Sequence, residues 1–150
     1  MEQTLVIVKP DGVQRGFIGE IITRFERRGL RIVALRMLQM SRAMAEKHYA
    51  VHKGKHFYDQ LVDYITSGPV VAAVVEGPDV INIVRKMIGK TRPAEADPGT
   101  IRGDLAVTGL RNLIHASDAP DTARQEISLF FDSGEILSYQ RDIDKWIYED

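Results

Sequence analysis

The segment Val70-Val71-Ala72-Ala73-Val74-Val75 is apolar at every one of its positions. A strand with one wet face would alternate apolar and polar side chains, because neighbours point to opposite faces of the sheet. A continuous, mostly β-branched run predicts a central strand that is covered on both faces. The fold should therefore place helices on each side of a sheet built around Val70–Val75.

A helix is predicted on either side of this strand in the sequence. The helix before it stops at Gly68-Pro69, and the one after it begins at Pro78 and ends at Gly89. Both show apolar residues at a helical spacing of three or four. The apolar faces are formed by Phe57, Leu61 and Ile65 in the first helix, and by Val80, Val84 and Met87/Ile88 in the second.

Two further strands are predicted towards the N-terminus, at Leu5–Val8 and Ile32–Met40. The first strand ends in the turn-rich tetrad Lys9-Pro10-Asp11-Gly12, and alternation places Lys9 on the same face as Leu5 and Ile7. Between the strands lies a helix with apolar residues at helical spacing, which Gly29 closes. Those residues are Ile18, Ile21, Ile22 and Phe25. After the second strand, Ser41 could cap a short helix that runs towards Tyr49.

The C-terminal part begins with a long irregular segment from Lys90 to about Arg111, and a loop of this length in a compact domain is usually functional. A short strand at Asn112–His115 and a helix beginning at Pro120 follow. The inward face of this helix consists of Ala123, Ile127 and Phe130. The order of elements predicts an α+β fold: a ferredoxin-like (βαββαβ) four-stranded antiparallel sheet with added helices.

Composition is that of one ordinary globular domain spanning residues 1–150. Apolar residues make up 44% and charged residues 27%, and the formal net charge is −1, which does not favour nucleic-acid binding. The sequence contains no cysteine, so disulfides and thiolate catalysis are excluded. No apolar run is long enough to span a bilayer and no signal peptide is evident, so we expect a soluble, cytoplasmic protein.

His115 is the strongest candidate for nucleophilic chemistry. An imidazole has an unperturbed pKa of about 6.5, so much of it is neutral near pH 7 and can attack phosphorus directly. Glu126 lies on the inward side of the last long helix, where a carboxylate is costly unless it is paired. A ring N–H of His115 would satisfy Glu126 and fix the tautomer. The alternatives are that His115 is a structural histidine and that Glu126 is half-exposed at the edge of the apolar face of its helix.

Three cations stand near turns and could form a pocket for a polyanion, namely Lys9, Arg85 and Arg102. The triplet Gly89-Lys90-Thr91 resembles the end of a P-loop, but Val84 stands where that motif needs its first glycine. His48, His52 and His56 are four residues apart. Gly54 interrupts the helix there and no carboxylate neighbours them, so we expect no protein metal site.

Several long motifs resemble those of nucleoside diphosphate kinases, in order and over essentially the whole chain. The N-terminal motif is Lys9-Pro10-Asp11-Gly12-Val13-Gln14-Arg15-Gly16. Later motifs are Ser67-Gly68-Pro69-Val70, Pro98-Gly99-Thr100-Ile101-Arg102-Gly103-Asp104 and Asn112-Leu113-Ile114-His115-Ala116-Ser117-Asp118, and Trp146-Ile147-Tyr148-Glu149 resembles the family's C-terminal end. The resemblance implies transfer of the γ-phosphate of an NTP to an NDP by a ping-pong mechanism through a phosphohistidine.

The resemblance also implies a role for each matching residue. His115 would accept the phosphate, Glu126 would hold the other ring nitrogen, and Ser117 would assist that pair. The residues near the sugar hydroxyls and the transferred phosphate would be Lys9, Tyr49 and Asn112. The residues that hold the phosphates would be Arg85, Thr91, Arg102 and His52. Phe57 would stack on the base, and Lys90–Arg111 would form a long loop over the nucleotide.

Mg²⁺ is the cofactor that the resemblance implies, carried by the nucleotide phosphates rather than by protein ligands. The implied partners are ATP, GTP and other nucleoside di- and triphosphates, and the implied assembly is a homo-hexamer, with a tetramer as the alternative. Gly109-Leu110 departs from the family pattern of an aliphatic residue followed by glycine. If the backbone needs positive φ at the second position, Leu110 would be strained.

Two other functions compete with the kinase. A regulatory module could have kept nucleotide binding but lost turnover, and Leu110 motivates that alternative. An RNA-binding ferredoxin-like domain would carry paired aromatic residues on a strand. The strands Leu5–Val8 and Val70–Val75 have none, which argues against RNA.

Overall fold

A four-stranded sheet organises the computed structural model, which describes residues 1–149. The strand order is β2-β3-β1-β4 and every neighbouring pair is antiparallel. The strands are β1 (Glu2–Val8), β2 (Arg31–Leu38), β3 (Val70–Gly77) and β4 (Ile114–Ala116). The helices are α1 (Pro10–Gln14), α2 (Ile18–Arg27), α3 (Arg42–His48), α4 (Tyr58–Ile65), α5 (Val80–Ile88), α6 (Ile101–Leu105) and α7 (Pro120–Phe130). This is the ferredoxin-like α+β fold, as the sequence predicts.

The sheet is covered on both faces, as the apolar run in β3 predicts. Side chains alternate along β1, so Val6 and Val8 face one core cluster while Leu5 and Ile7 face the other. The first cluster packs the sheet against α2 and α5. The second packs it against α3, α4 and α7. The sheet is thus the middle of three layers, and the second layer of helices is the one that meets the candidate site.

Helix ends follow the predicted signals in most places. The hydroxyl of Ser41 accepts a hydrogen bond from the backbone N–H of Met44, which caps α3. Gly29 follows α2 with a φ of +94°, and Gly89 follows α5 with a φ of +88°. These caps determine where each of these helices begins or ends.

The tetrad Lys9-Pro10-Asp11-Gly12 was predicted as a turn, but from Pro10 onwards the chain forms the short helix α1. Proline is well suited to the first turn of a helix, because its missing N–H is unpaired there in any case. Gly12 is required at this point, since a Cβ would lie 2.7 Å from Val8 Cγ1 and 3.0 Å from the carbonyl oxygen of Leu113. The helix therefore packs directly against the segment that leads into β4.

The last strand begins later than the predicted Asn112–His115, because Leu113 has a φ of +73°. A residue in this left-handed conformation cannot continue a strand. The expected strain at Leu110 is absent, since the positive φ of that turn, +28°, falls on Gly109. The predicted strand Ile32–Met40 is observed as β2 from Arg31 to Leu38.

The long segment after α5 is more regular than predicted. It contains a 3₁₀ turn at Pro93–Glu95 and the helix α6, which Thr100 caps through the backbone N–H of Gly103. Gly103 passes so close to the backbone that an added Cβ would collide with the carbonyl oxygen of Asp97. Within residues 1–149, no helix combines the length and apolar character needed to cross a bilayer.

The C-terminal segment after α7 folds back onto the first half of the chain. Arg141 donates to the backbone carbonyls of Gly29 and Leu30 and pairs with Asp144. Arg31 at the start of β2 is buried and also pairs with Asp144. The segment is therefore fastened to the turn between α2 and β2.

Candidate active site

His115 occupies the middle of β4, where it is paired with Ile7 of β1. Its neighbours Ile114 and Ala116 point into the core cluster beneath α2 and α5. Alternation therefore directs His115 to the opposite face, between α3 and α7. Its side chain is 23% exposed, so the ring is supported by the sheet but open to a ligand.

The carboxylate of Glu126, on α7, binds the ring of His115. Glu126 Oε2 lies 2.8 Å from His115 Nε2, and Ser117 Oγ donates to Glu126 Oε1 at 2.7 Å. Burial acts to raise the pKa of Glu126, but the hydrogen bonds to His115 and Ser117 and the charge interactions with His115 and His48 together hold its pKa below the ordinary value. Because an ionised carboxylate only accepts, Nε2 must carry a proton, so in the neutral ring the lone pair is on Nδ1.

Lys9 emerges at the end of β1 and is almost completely buried. Its ammonium donates to Asn112 Oδ1 at 2.8 Å, and Asn112 Nδ2 donates to the carbonyl oxygen of Thr91 at 3.0 Å. Burial, with the charge of Arg102 nearby, lowers the pKa of Lys9 to about 8. The backbone of Thr91 is thereby brought to the site, through its carbonyl group.

Arg102, on α6, ties two other segments to its helix. Its guanidinium donates to the carbonyl oxygens of Asn112 at 3.2 Å, Gly89 at 3.0 Å and Ile114 at 2.6 Å. A guanidinium has five N–H groups, so about two remain for another partner. Burial and the neighbouring Arg85 lower the pKa of Arg102 to about 10, which still leaves it charged. Arg102 is thus as much a brace for β4 as a cation for a ligand.

A group of mostly cationic side chains lies beside Arg102. Arg85 NH1 donates to the carbonyl oxygen of Ala116 at 3.3 Å, directly after His115 in the sequence. A pocket of about 430 Å³ adjoins it, and its charged lining residues are Arg85, Lys86, Lys90 and Asp97. Three of these four charged side chains are cations, so the pocket is a suitable environment for phosphate oxygens.

A row of rings leads outward from His115. Ring centroids are 4.7 Å apart for His115 and His48, 4.6 Å for His48 and Tyr49, and 6.3 Å for Tyr49 and His52. The last step, from His52 to Phe57, is 5.3 Å. The row extends along α3 and the following 3₁₀ turn to the start of α4, and so brings the predicted residues Tyr49, His52 and Phe57 to one side of His115.

His48 is the member of this site that the sequence did not predict. Its spacing from His52 and His56 was considered only as a metal pattern, and those two rings instead contact Phe57. The signal that could have found it is its position one residue before Tyr49, at the end of a capped helix. A helix end that faces the candidate nucleophile would bring both side chains to it.

The described residues do not form an obvious protein cage for Mg²⁺. His48, His115 and Glu126 each offer one donor atom, and these atoms lie within 4.8 Å of one another. Two imidazoles and one carboxylate suit a transition metal better than Mg²⁺, which prefers oxygen donors. The proton on His115 Nε2 already bridges to Glu126, and the ammonium of Lys9 adds positive charge near the cluster.

Comparison with known proteins identifies the same family over the whole chain. The family model described as nucleoside diphosphate kinase matches residues 2–136. A nucleoside diphosphate kinase of Listeria monocytogenes serotype 4b (strain CLIP80459) is 61% identical over 147 residues, covering 98% of this chain and 100% of the relative. One from Archaeoglobus fulgidus is 59% identical over 150 residues, covering 100% of this chain and 99% of the relative.

Solved structures agree with these relatives. The structure of a halophilic nucleoside diphosphate kinase from Halobacterium salinarum in complex with CDP has a TM-score of 0.96 and 49% identity, with 99% of each chain covered. A transition-state mimic of the enzyme from Borrelia burgdorferi, with bound vanadate and ADP, has a TM-score of 0.91 and 41% identity, and 95% of this chain and 94% of that chain are covered.

Proposed function

The chain belongs to the nucleoside diphosphate kinase family, and on that premise we propose that His115 is the residue that carries the phosphate. The reaction transfers the γ-phosphate of an NTP to an NDP by a ping-pong mechanism through a phosphohistidine. The observation that supports His115 is the hydrogen bond between its Nε2 and Glu126, which in the neutral ring places the lone pair on Nδ1 of a partly exposed side chain.

The proposed first step is attack by the Nδ1 lone pair of His115 on the γ-phosphorus. A P–N bond forms, the bond from the γ-phosphorus to the bridging oxygen breaks, and that oxygen leaves with the NDP. The ring then carries positive charge, which the carboxylate of Glu126 stabilises across Nε2–H. A second NDP reverses these steps and leaves as an NTP, so the proton on Nε2 stays in place throughout.

The proposed roles of the remaining residues follow their positions around this nitrogen. Phosphoryl transfer depends mainly on positioning and on stabilising charge. Ser117 would steady Glu126, and the residues near the sugar and the transferred phosphate would be Lys9, Tyr49 and Asn112. The phosphates would be held by Arg85, Thr91, Arg102 and His52. For Arg102, its carbonyl contacts support a double role, as a brace for β4 and as a phosphate ligand.

Phe57 would stack on the nucleotide base at the outer end of the row of rings. Stacking on an aromatic ring contributes roughly 1–3 kcal/mol and does not distinguish strongly between bases. ATP, GTP and other nucleoside di- and triphosphates are therefore the proposed substrates.

Mg²⁺ is the proposed cofactor, held by the nucleotide phosphates, where it would neutralise phosphate charge. We also propose a cytoplasmic homo-hexamer formed by a single domain that spans residues 1–150. The exposed apolar side chains of Leu35 and Met37 on the edge strand β2, and of Trp146 at 82% exposure, support association with other copies.

The proposal is tested by incubating the purified protein with Mg²⁺ and ATP labelled at its γ-phosphate. We expect acid-labile label on wild type and none on His115→Ala, which should also lose exchange activity. His56→Ala serves as the matched control, because His56 is an exposed histidine in the turn before α4. Stoichiometric labelling of His115→Ala would refute His115 as the acceptor.

A further inference from the structure

His48 is a buried imidazole that the proposed reaction does not use. It is the last residue of α3, its side chain is 1% exposed, and its ring stands at 83° to the ring of His115 with centroids 4.7 Å apart. Phe130 closes the other side at 5.8 Å. The ring of His115 therefore cannot turn towards α3 without displacing a packed ring.

Packing alone does not explain an imidazole at this position. Neither His48 Nδ1 nor His48 Nε2 has a hydrogen-bond partner within residues 1–149, although both atoms are buried. Leaving a buried polar group without a partner costs roughly 1–3 kcal/mol, and phenylalanine would present an aromatic ring without that penalty. A buried polar group that remains unpaired calls for an explanation, and a role at the site is one.

A hydrogen-bond acceptor for His48 lies nearby, in the carboxylate of Glu126. His48 Nδ1 lies 3.8 Å from Glu126 Oε2, the same oxygen that His115 Nε2 contacts at 2.8 Å. A distance of 3.8 Å is too long for a hydrogen bond, but catalytic hydrogen bonds often shorten as substrate binds. A carboxylate oxygen has two lone pairs and can accept from both rings. Burial lowers the pKa of His48 to about 3, so the ring is neutral and has one N–H to donate.

We propose that His48 is a positioning residue for phosphoryl transfer: its ring fixes the plane of His115, and its Nδ1–H becomes a second donor to Glu126 when nucleotide binds. This inference rests on the proposed role of His115. As the phosphate bonds to His115 Nδ1, the ring becomes positive and depends on Glu126. A neutral second donor at His48 holds the carboxylate of Glu126 in place against His115 Nε2. A cation at the position of His48 would instead compete with His115 for the negative charge of Glu126.

The test compares two substitutions that divide the proposed roles. His48→Asn keeps an N–H donor near the position of Nδ1, and His48→Phe keeps the ring without a donor. We expect His48→Phe to lower kcat by roughly 10-fold or more with little change in KM, while His48→Asn stays closer to wild type. His56→Phe, at an exposed histidine whose ring contacts only the outer end of the row of rings at Phe57, should leave kcat unchanged.

A second readout separates positioning from a purely structural role. ¹⁵N NMR of His115 in the complex with Mg²⁺ and ADP should show the single Nε2–H tautomer in wild type and a mixture in His48→Phe, whereas a structural role would change the unfolding temperature alone. Should His48→Phe fail to fold, His48→Gln replaces it, because its amide lies where Nε2 was. We then expect Gln to be impaired and Asn to be active.

Equal activity in wild type and the donor-free variant, or equal impairment of the Asn and Gln variants, would overturn the positioning role. These outcomes are distinct from failure of the proposed function. If wild-type protein takes no label at His115, the acceptor itself is wrong. If wild type is labelled and His48→Phe turns over normally with one tautomer, the role of His48 alone is wrong.

Discussion

Among single residues, Glu126 is the side chain whose charge the proposed mechanism needs most. Glu126→Gln keeps the size of the side chain but removes the negative charge that stabilises the imidazolium. We expect kcat to fall by roughly 10–100-fold, with KM little changed, because the contact strengthens only as the phosphate is transferred. Single-turnover labelling by rapid quench should show slow phosphoenzyme formation. Glu135→Gln, at a carboxylate that caps the turn after α7, is the control.

The proposed role of Lys9 predicts that the reaction is sensitive to alkaline pH. Because its pKa is lowered to about 8, the ammonium in the free enzyme loses its charge as the pH rises through that value. We expect kcat/KM to fall above about pH 8, and Lys9→Met to have low activity without this alkaline limb. A wild-type profile that stays flat to about pH 10 would contradict the assignment.

The effect of Lys9 on stability has the opposite sign. A lysine whose pKa is depressed by folding binds its proton more tightly in the unfolded chain, so the folded state is penalised wherever the lysine is charged. The penalty is constant below about pH 8 and is relieved between that value and the ordinary pKa of 10.5. As this penalty is relieved, the folded protein should become more stable over the pH range in which activity declines. Thermal unfolding measured across the same range tests this expectation.

At the scale of elements, two helical glycines should respond in opposite directions to one added methyl group. In α2, a Cβ at Gly19 would meet nothing within 4 Å, whereas in α6 a Cβ at Gly103 would collide with the carbonyl oxygen of Asp97. We expect Gly19→Ala to stabilise the protein by about 0.5–1 kcal/mol. Gly103→Ala should destabilise it and loosen the long segment. Urea unfolding measures both, and a stable Gly103→Ala would show that the segment can move aside.

The elements predicted best from sequence are those whose hydrophobic pattern agrees with their packing. β3 and the helices α2, α5 and α7 have their apolar faces where the spacing placed them. Errors fall where backbone conformation depends on tertiary contacts. The left-handed Leu113 and the helix α1 are both fixed by the close approach of Gly12 to Leu113, which the local sequence does not encode.

The site was predictable where a motif or an inward helical position identified a residue, as for His115 and Glu126. Two features escaped prediction because they depend on three-dimensional proximity. Arg102 donates to three carbonyl groups on two other segments, and His48 of α3 contacts His115 of β4. Neither contact follows from spacing along the chain, since the partners are far apart in sequence or lie on different elements.

At the scale of the whole molecule, the C-terminal segment should be separable from the catalytic core. Arg141 holds it through Gly29, Leu30 and Asp144. We expect Arg141→Ala to make the chain after Phe131 sensitive to limited proteolysis, while labelling at His115 persists. Arg124→Ala, an exposed arginine on α7, is the control. Loss of labelling together with cleavage would show that the segment supports the site.

The placement of His115 in the middle of a strand, with one nitrogen engaged and one open, has a kinetic consequence. A nucleophile carried by a hinged loop could swing between a donor and an acceptor bound side by side. An imidazole fixed in a sheet can face only one nucleotide-binding position, so the donor and acceptor nucleotides must bind there one after the other. Abundant NDP will therefore also bind to the unphosphorylated enzyme, and an excess of NDP will inhibit the exchange reaction.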